Sequence, residues 1–309
     1  MAGDAPDSRA AGAGGLMDAL PLGLDQHVAA LLLCGVDVAA RALRSRLLLP
    51  VSFRRAVIIN TCGDAMAAVT PARVGGEPLR YFGFTRAGSS PAATIAAFGS
   101  ELVSDALVFV VGAIAISVSL AARAPGLIPA VTRLSRSPAA WGGLGVTLLL
   151  VAVSILLVRR LWPRTAVRVA ACLRESWRRM RSQPPRVMAG VVSLSVLSLV
   201  ARGAILPVLL ARVPGLGFGD LAVASFALTS GLLLAPIPAG AGAVDLGFVV
   251  GFDGRVPPGA LAILLVAWRA YSLVVGALVG AVLLLRESLP GGLLDGARAR
   301  RAAADSPPA

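Results

Sequence analysis

Residues 261–285 read LAILLVAWRAYSLVVGALVGAVLLL, an unbroken apolar run whose single charge is Arg269. About 20 predominantly apolar residues suffice to cross a bilayer as a helix. In hydrocarbon every backbone amide and carbonyl must find its partner within the protein, so only helices and closed barrels cross. The apolar positions here are continuous rather than alternating, which selects helix over barrel strand. The runs Leu102–Leu120, Val146–Val158 and Val187–Val200 repeat the pattern. The expected fold is therefore an all-α polytopic integral membrane protein, multi-pass in the cell membrane.

Composition agrees. Hydrophobic residues make up 57% of 309 positions, charged residues 15%, and the mean hydropathy is +0.81. An ordinary soluble domain carries about a quarter charged residues. All 29 basic residues are Arg, and the net charge is +13. In a soluble chain that balance would point to nucleic acid. Here the Arg residues stand mostly at the ends of apolar runs, where they act as topology signals and headgroup contacts, so no nucleic-acid partner is expected. Cys34, Cys62 and Cys172 have no CxxC spacing, and His27 is the only histidine. No metal site, cofactor or disulfide framework is expected from them.

Five segments are predicted to span: 26–44, 92–120, 141–161, 187–211 and 258–286. Residues 1–25 and 288–309 read as disordered tails around a membrane domain at 26–287. The segment 56–71 is short and polar at Asn60, Thr61 and Asp64. It lies between Arg54 and Arg55 on one side and Arg73, Arg80 and Arg86 on the other. Basic flanks prefer the cytoplasm, so this segment is expected to enter the membrane and return. A second broken element is expected at 219–252, interrupted at Pro236, Pro238, Gly240 and Gly242. With both broken elements the count rises to seven or eight membrane helices. Paired interrupted segments in the two halves suggest an inverted repeat with a site near the midplane. The loop 159–186, with nine Arg and one Glu, is the strongest cytoplasmic marker.

Four constellations carry candidate chemistry. In Thr70–Arg80, Pro71 ends a helix, the Gly75–Gly76 pair frees the backbone, and Glu77 stands between Arg73 and Arg80. Glu101 and Asp105 share a helix face one turn apart and require a cation. The stretch Pro236–Asp245 starts a helix at which amides can favour an anion, with Asp245 in the first turns. Arg202 and Arg269 lie deep in spanning segments. There they either bind phosphate through a bidentate fork or pair with Asp245 or Asp220 to hold helices together. These charges are expected to share one cavity, because each unpaired charge at membrane depth costs about 2.5–3.5 kcal/mol on the insertion scale. Gly276-x-x-x-Gly280 is expected to allow close helix packing.

These elements together resemble the flippase-like transmembrane family of the lysylphosphatidylglycerol synthase membrane region. Its pattern is an Asn-rich helix, then P-x-R-x-G-E-x-x-R, E-R-x-x-D, and later P-x-P-G-G-x-G-x-x-E with an Arg in the final helix. Asn60 precedes Pro71-Ala72-Arg73-Val74-Gly75 here; Gly76 is inserted before Glu77, and Arg80 follows. Glu101-Leu102-Val103-Ser104-Asp105 has Leu102 where the family has Arg. Pro236-Ile237-Pro238-Ala239-Gly240-Ala241-Gly242 keeps the proline–glycine core, Asp245 replaces Glu, and Arg269 matches the last Arg. The resemblance covers about residues 26–286.

The resemblance implies lipid transfer between leaflets. It points to a headgroup site at Asn60, Arg73, Glu77, Arg80, Glu101, Asp105, Pro238, Gly240, Asp245 and Arg269, to which the deep Arg202 is added: Arg202, Arg269 and Arg80 would hold a phosphate, and Glu77, Glu101, Asp105 and Asp245 would balance those charges or bind a cationic headgroup or coupling proton. The expected partner is a membrane lipid bearing phosphate. No nucleophile–base or metal constellation appears, so no enzyme is expected. The alternative is a scaffold that does not transport but anchors a membrane enzyme of envelope-lipid synthesis. Nothing in the sequence specifies the oligomeric state.

Overall fold

The computed structural model describes residues 22–70, 73–123, 160, 163–213, 215–234 and 242–288. All regular structure among them is helical. The helices are α1 (Leu24–Leu48), α2 (Phe53–Val69), α3 (Gly76–Arg86), α4 (Pro91–Arg123), α5 (Pro163–Arg181), α6 (Pro185–Leu209), α7 (Phe218–Leu234), α8 (Ala243–Phe252), α9 (Pro258–Arg269) and α10 (Val275–Ser288). A π-helical turn at Ala270–Val274 joins α9 to α10 in one continuous rod. Three stretches are long and apolar enough to cross a membrane: Pro91–Val118, Pro185–Leu209 and Gly259–Glu287.

The helices turn their apolar side chains outward. On α4, Leu102, Val103, Leu107, Val110, Val111, Ile114 and Val118 are all exposed, while Ser100, Glu101 and Ser104 are buried. That inverts the soluble pattern, as lipid requires. Helix α1 shows the same inversion with more charge. Leu31, Leu32, Val36, Leu43 and Leu47 point out, and Asp37, Arg44 and Ser45 are buried.

The described residues fall into two compact units, one formed up to Ser89 and from Ser193 onward, the other by Ser90–Val192. The segment 56–71, expected to enter and return by itself, is instead traversed by one continuous helix, α2; in the first unit α2 and α3 form the two arms of a hairpin, with Arg73 at its tip and not in a basic flank. Thr70 closes its tip by donating from Oγ1 to the Met66 carbonyl (2.8 Å) and accepting from the Gly75 amide (3.0 Å). The two arms touch backbone to backbone, since a Cβ added at Gly76 would meet the Gly63 carbonyl oxygen at 3.0 Å. Behind the hairpin runs α10. A Cβ at Gly280 would collide with the Thr61 carbonyl, and the Cys62 thiol points at the Gly280 carbonyl (3.6 Å). The predicted small-residue packing motif is thus the seam between α2 and α10. Gly280→Leu is expected to force this seam open at a cost of about 1–3 kcal/mol or more. The protein should then lose its monodisperse peak in detergent, whereas a leucine at Gly35, where nothing lies within 4 Å, should be tolerated.

The second broken element is also interrupted. Helix α7 ends at Leu234 and α8 begins at Ala243, with Gly242 at φ 83°. Residues 235–241, including Pro238 and Gly240, lie outside the described residues, as do most of the expected span 141–161, residues 1–21 and residues 289–309. The core of the first unit gathers Ile205, Leu206 and Leu209 of α6, Phe248 and Phe252 of α8, and Leu264 and Trp268 of α9. Phe248 stacks on Trp268 with ring centroids 5.8 Å apart. One segment differs in kind from its expectation: the Arg-rich stretch 159–186, read as a loop, contains the 19-residue helix α5.

Candidate functional site

Asp37 sits eleven residues before the end of α1, and Asp64 eleven residues into α2. At 1.5 Å rise per residue both lie roughly 16 Å from the connection between these helices, and so at one level of the pair. Largely buried carboxylates need cations, and the fold supplies three. Arg41, one turn beyond Asp37, bridges the two carboxylates. Its Nη2 reaches Asp37 Oδ2 (3.2 Å), and its Nη1 reaches Asp64 Oδ2 (2.8 Å) and Oδ1 (2.9 Å). Arg202 of α6 donates from Nη2 to Asp37 Oδ2 at 2.9 Å. Ser198, one turn earlier on α6, donates its hydroxyl to Asp37 Oδ1 at 2.5 Å.

The third cation is Arg73, at the tip of the α2–α3 hairpin. It lines the same cleft as Asp37, Arg41, Asp64 and Arg202. Its backbone is left-handed, with φ at 58°. A residue with a Cβ rarely takes that conformation, and such strain of about 1–3 kcal/mol persists only where its surroundings enforce it. Arg73 feels the fields of Arg202 and Arg41 as well as those of Asp64 and Asp37. Asp37 and Asp64 are already engaged by Arg41 and Arg202, and among the described residues Arg73 makes no ion pair. Three guanidiniums against two carboxylates leave the cleft one positive charge in excess.

The far wall is the π-helical turn. An extra residue in a helical turn redirects its backbone groups and is frequent at functional sites. Here the turn sets the Tyr271 carbonyl against the Cys34 thiol (3.0 Å) and faces Ser272 into the cleft. The Ser272 hydroxyl oxygen is buried and has no hydrogen-bond partner among the described residues. The Tyr271 hydroxyl meets His27 Nδ1 at 2.7 Å, tying the π turn to the start of α1. The wall therefore offers an unengaged hydroxyl next to an excess guanidinium.

The sequence of this charged, re-entrant architecture matches the transmembrane region of lysylphosphatidylglycerol synthase over residues 18–280. The chain belongs to that family. It is a membrane protein of a family concerned with lipid synthesis or handling. Comparison with curated proteins finds no match.

Of the residues expected at a headgroup site, the cleft brings together Arg73 and Arg202. Arg202 finds its carboxylate in Asp37, not in Asp245 or Asp220. Arg269 and Asp245 form a separate pair, Nε to Oδ1 at 2.7 Å, which ties α9 to α8. Asp245 also accepts the Gly242 amide (2.9 Å), and the Arg269 guanidinium lies over the Trp268 ring. Glu77 is largely exposed and accepts from Arg80 Nη1 at 2.8 Å, one turn apart on α3. Asn60 is buried in packing, donating to the Ser45 hydroxyl (3.1 Å) and the Ala56 carbonyl (2.8 Å). Glu101, buried, and Asp105, exposed, lie on α4 in the second unit. Asp37 and Arg41 were not among the expected site residues. The signal was present as an Asp and an Arg four apart inside a predicted span, since an intramembrane ionisable residue is by default a functional hypothesis.

Proposed function

We propose that this protein translocates an amphipathic lipid, taking its phosphate-bearing headgroup into the cleft between α1, α6, the hairpin tip and the π turn. The supporting observation is the excess guanidinium, Arg73, held in a strained backbone beside a carboxylate-balanced pair. A phosphate there would receive charge-assisted hydrogen bonds from Arg73 and a hydroxyl donor from Ser272. Its acyl chains would stay in lipid, along the outward apolar faces of the helices. Arg202 and Arg41 are already committed to carboxylates, so they would hold the site's shape and add positive field. The headgroup would then cross without entering bare hydrocarbon, where an ion costs several kcal/mol.

Reconstitution into liposomes with fluorescent lipids tests this. Lipids whose headgroup includes a phosphate should show protein-dependent exposure to an external quencher, and a neutral glycolipid with the same chains should not. Equal movement of both lipids would remove the phosphate argument. Immobility of the whole panel would favour a scaffold for a lipid-synthesis enzyme.

A further inference from the structure

Helix α5 carries a second feature, independent of the cleft. Its 19 residues end only three residues before α6, which starts at Pro185 and is long and apolar enough to span. Its other contact is also with a spanning helix: the Met180 sulfur stands over Gly99, near the start of α4, and Ser176 is buried. Helix α5 itself cannot cross, because Arg168, Arg174, Arg178, Arg179 and Arg181 recur along it. It is thus tethered at the bilayer surface.

At 100° per residue, Met180, which meets α4, and the buried Ser176 fall on the same side of α5 as its apolar residues. Val169, Leu173 and Trp177, spaced four apart, form a stripe that remains 47%, 52% and 55% exposed. The arginines occupy the opposite side. Glu175 engages Arg178 (3.1 Å) and Arg179 (2.9 Å). Arg168, Arg174 and Arg181 have no carboxylate partner among the described residues, and Arg181 lies 5.9 Å from the Trp177 ring centroid. An exposed apolar stripe beside unpaired cations, held at the membrane boundary, is the pattern of a helix lying in the interface plane. Its charge is complementary to anionic headgroups and not to zwitterionic ones.

We propose that α5 is an in-plane lipid-binding surface: Arg168, Arg174 and Arg181 hold anionic headgroups at the bilayer surface while Val169, Leu173 and Trp177 sit at the acyl boundary. The test uses the full chain in nanodiscs of mixed phosphatidylglycerol and phosphatidylcholine, with Cys34, Cys62 and Cys172 replaced by Ala. Spin labels go on Leu173→Cys and, on the opposite side, Arg178→Cys. The label at 173 should be reached by oxygen and the label at 178 by an aqueous nickel chelate. Equal aqueous access at both, or spin–spin broadening at 173 from a second copy, overturns the proposal. Association of spin-labelled phosphatidylglycerol relative to phosphatidylcholine should fall about five-fold or more in the Arg168, Arg174, Arg181→Gln variant, given roughly five-fold per arginine near an anionic surface. The corresponding Lys variant, which keeps the charge, should retain the preference. An unchanged preference in the Gln variant, or equal loss in the Lys variant, also overturns it.

Discussion

Asp37→Leu alone is expected to lower the melting temperature in detergent by on the order of 10 °C, and adding Arg202→Met should restore most of it. Breaking a buried ion pair by removing one partner typically costs about 3–5 kcal/mol, because the other charge is left without compensation. For a chain of this size each kcal/mol moves the midpoint by about 2–4 °C. In the single variant Arg202 loses its carboxylate, and Arg41 keeps only Asp64. In the double variant Arg41 and Asp64 remain balanced, and two apolar side chains of similar volume fill the site. Ser198 loses an acceptor as well, but a helical serine can turn back to a carbonyl one turn earlier. Replacement of a buried pair by apolar residues is often neutral or stabilising. The double variant should therefore fold. A double variant no more stable than Asp37→Leu would show that the pair is not an isolated energetic unit.

This pair also marks where sequence reading stops. Apolar runs were legible because lipid imposes one condition on every residue of a span, and the observed helices at Pro91–Arg123, Pro185–Leu209 and Pro258–Ser288 lie within a few residues of expectation. The basic neighbours set 56–71 apart as a short element, but Arg73, Arg80 and Arg86, read as its flank, form the tip and second arm of the hairpin; the α2–α10 seam was legible from Gly276 and Gly280. The pairing of Arg269 with Asp245 was among the alternatives the spacing allowed. Arg202 was visible as a deep charge, but its partner was not. Asp37 stands 165 residues away, and only the packing of α1 against α6 brings them together. The π turn left no signal, since an inserted residue changes hydrogen bonding without changing hydropathy. Helix α5 was missed for the opposite reason. Its charge density reads as a solvated loop unless the four-residue spacing of Val169, Leu173 and Trp177 is weighed against it.

The sharpest consequence for transport concerns Arg73. Arg73→Gln should leave folding intact while protein-dependent lipid movement falls by roughly 10- to 100-fold, since a hydrogen bond to a charged group contributes about 1.5–3 kcal/mol. The contrast with Arg202 is the point. Arg202 neutralises Asp37, so its loss destabilises the protein and confounds any transport assay. Arg73 makes no ion pair among the described residues, so removing its charge should leave no carboxylate without its partner. Arg73→Lys should recover only part of the activity, because a point charge cannot reproduce a planar fork on phosphate. Arg73→Gly should be the most stable of the three at the backbone, since glycine accepts a φ of 58° without strain, and it should still transport poorly. If Arg73→Gln transports at the native rate, the excess charge is not what receives the headgroup. If instead it unfolds, Arg73 is a structural pin of the hairpin tip. The glycine variant separates these outcomes, because it removes the side chain and the backbone strain together.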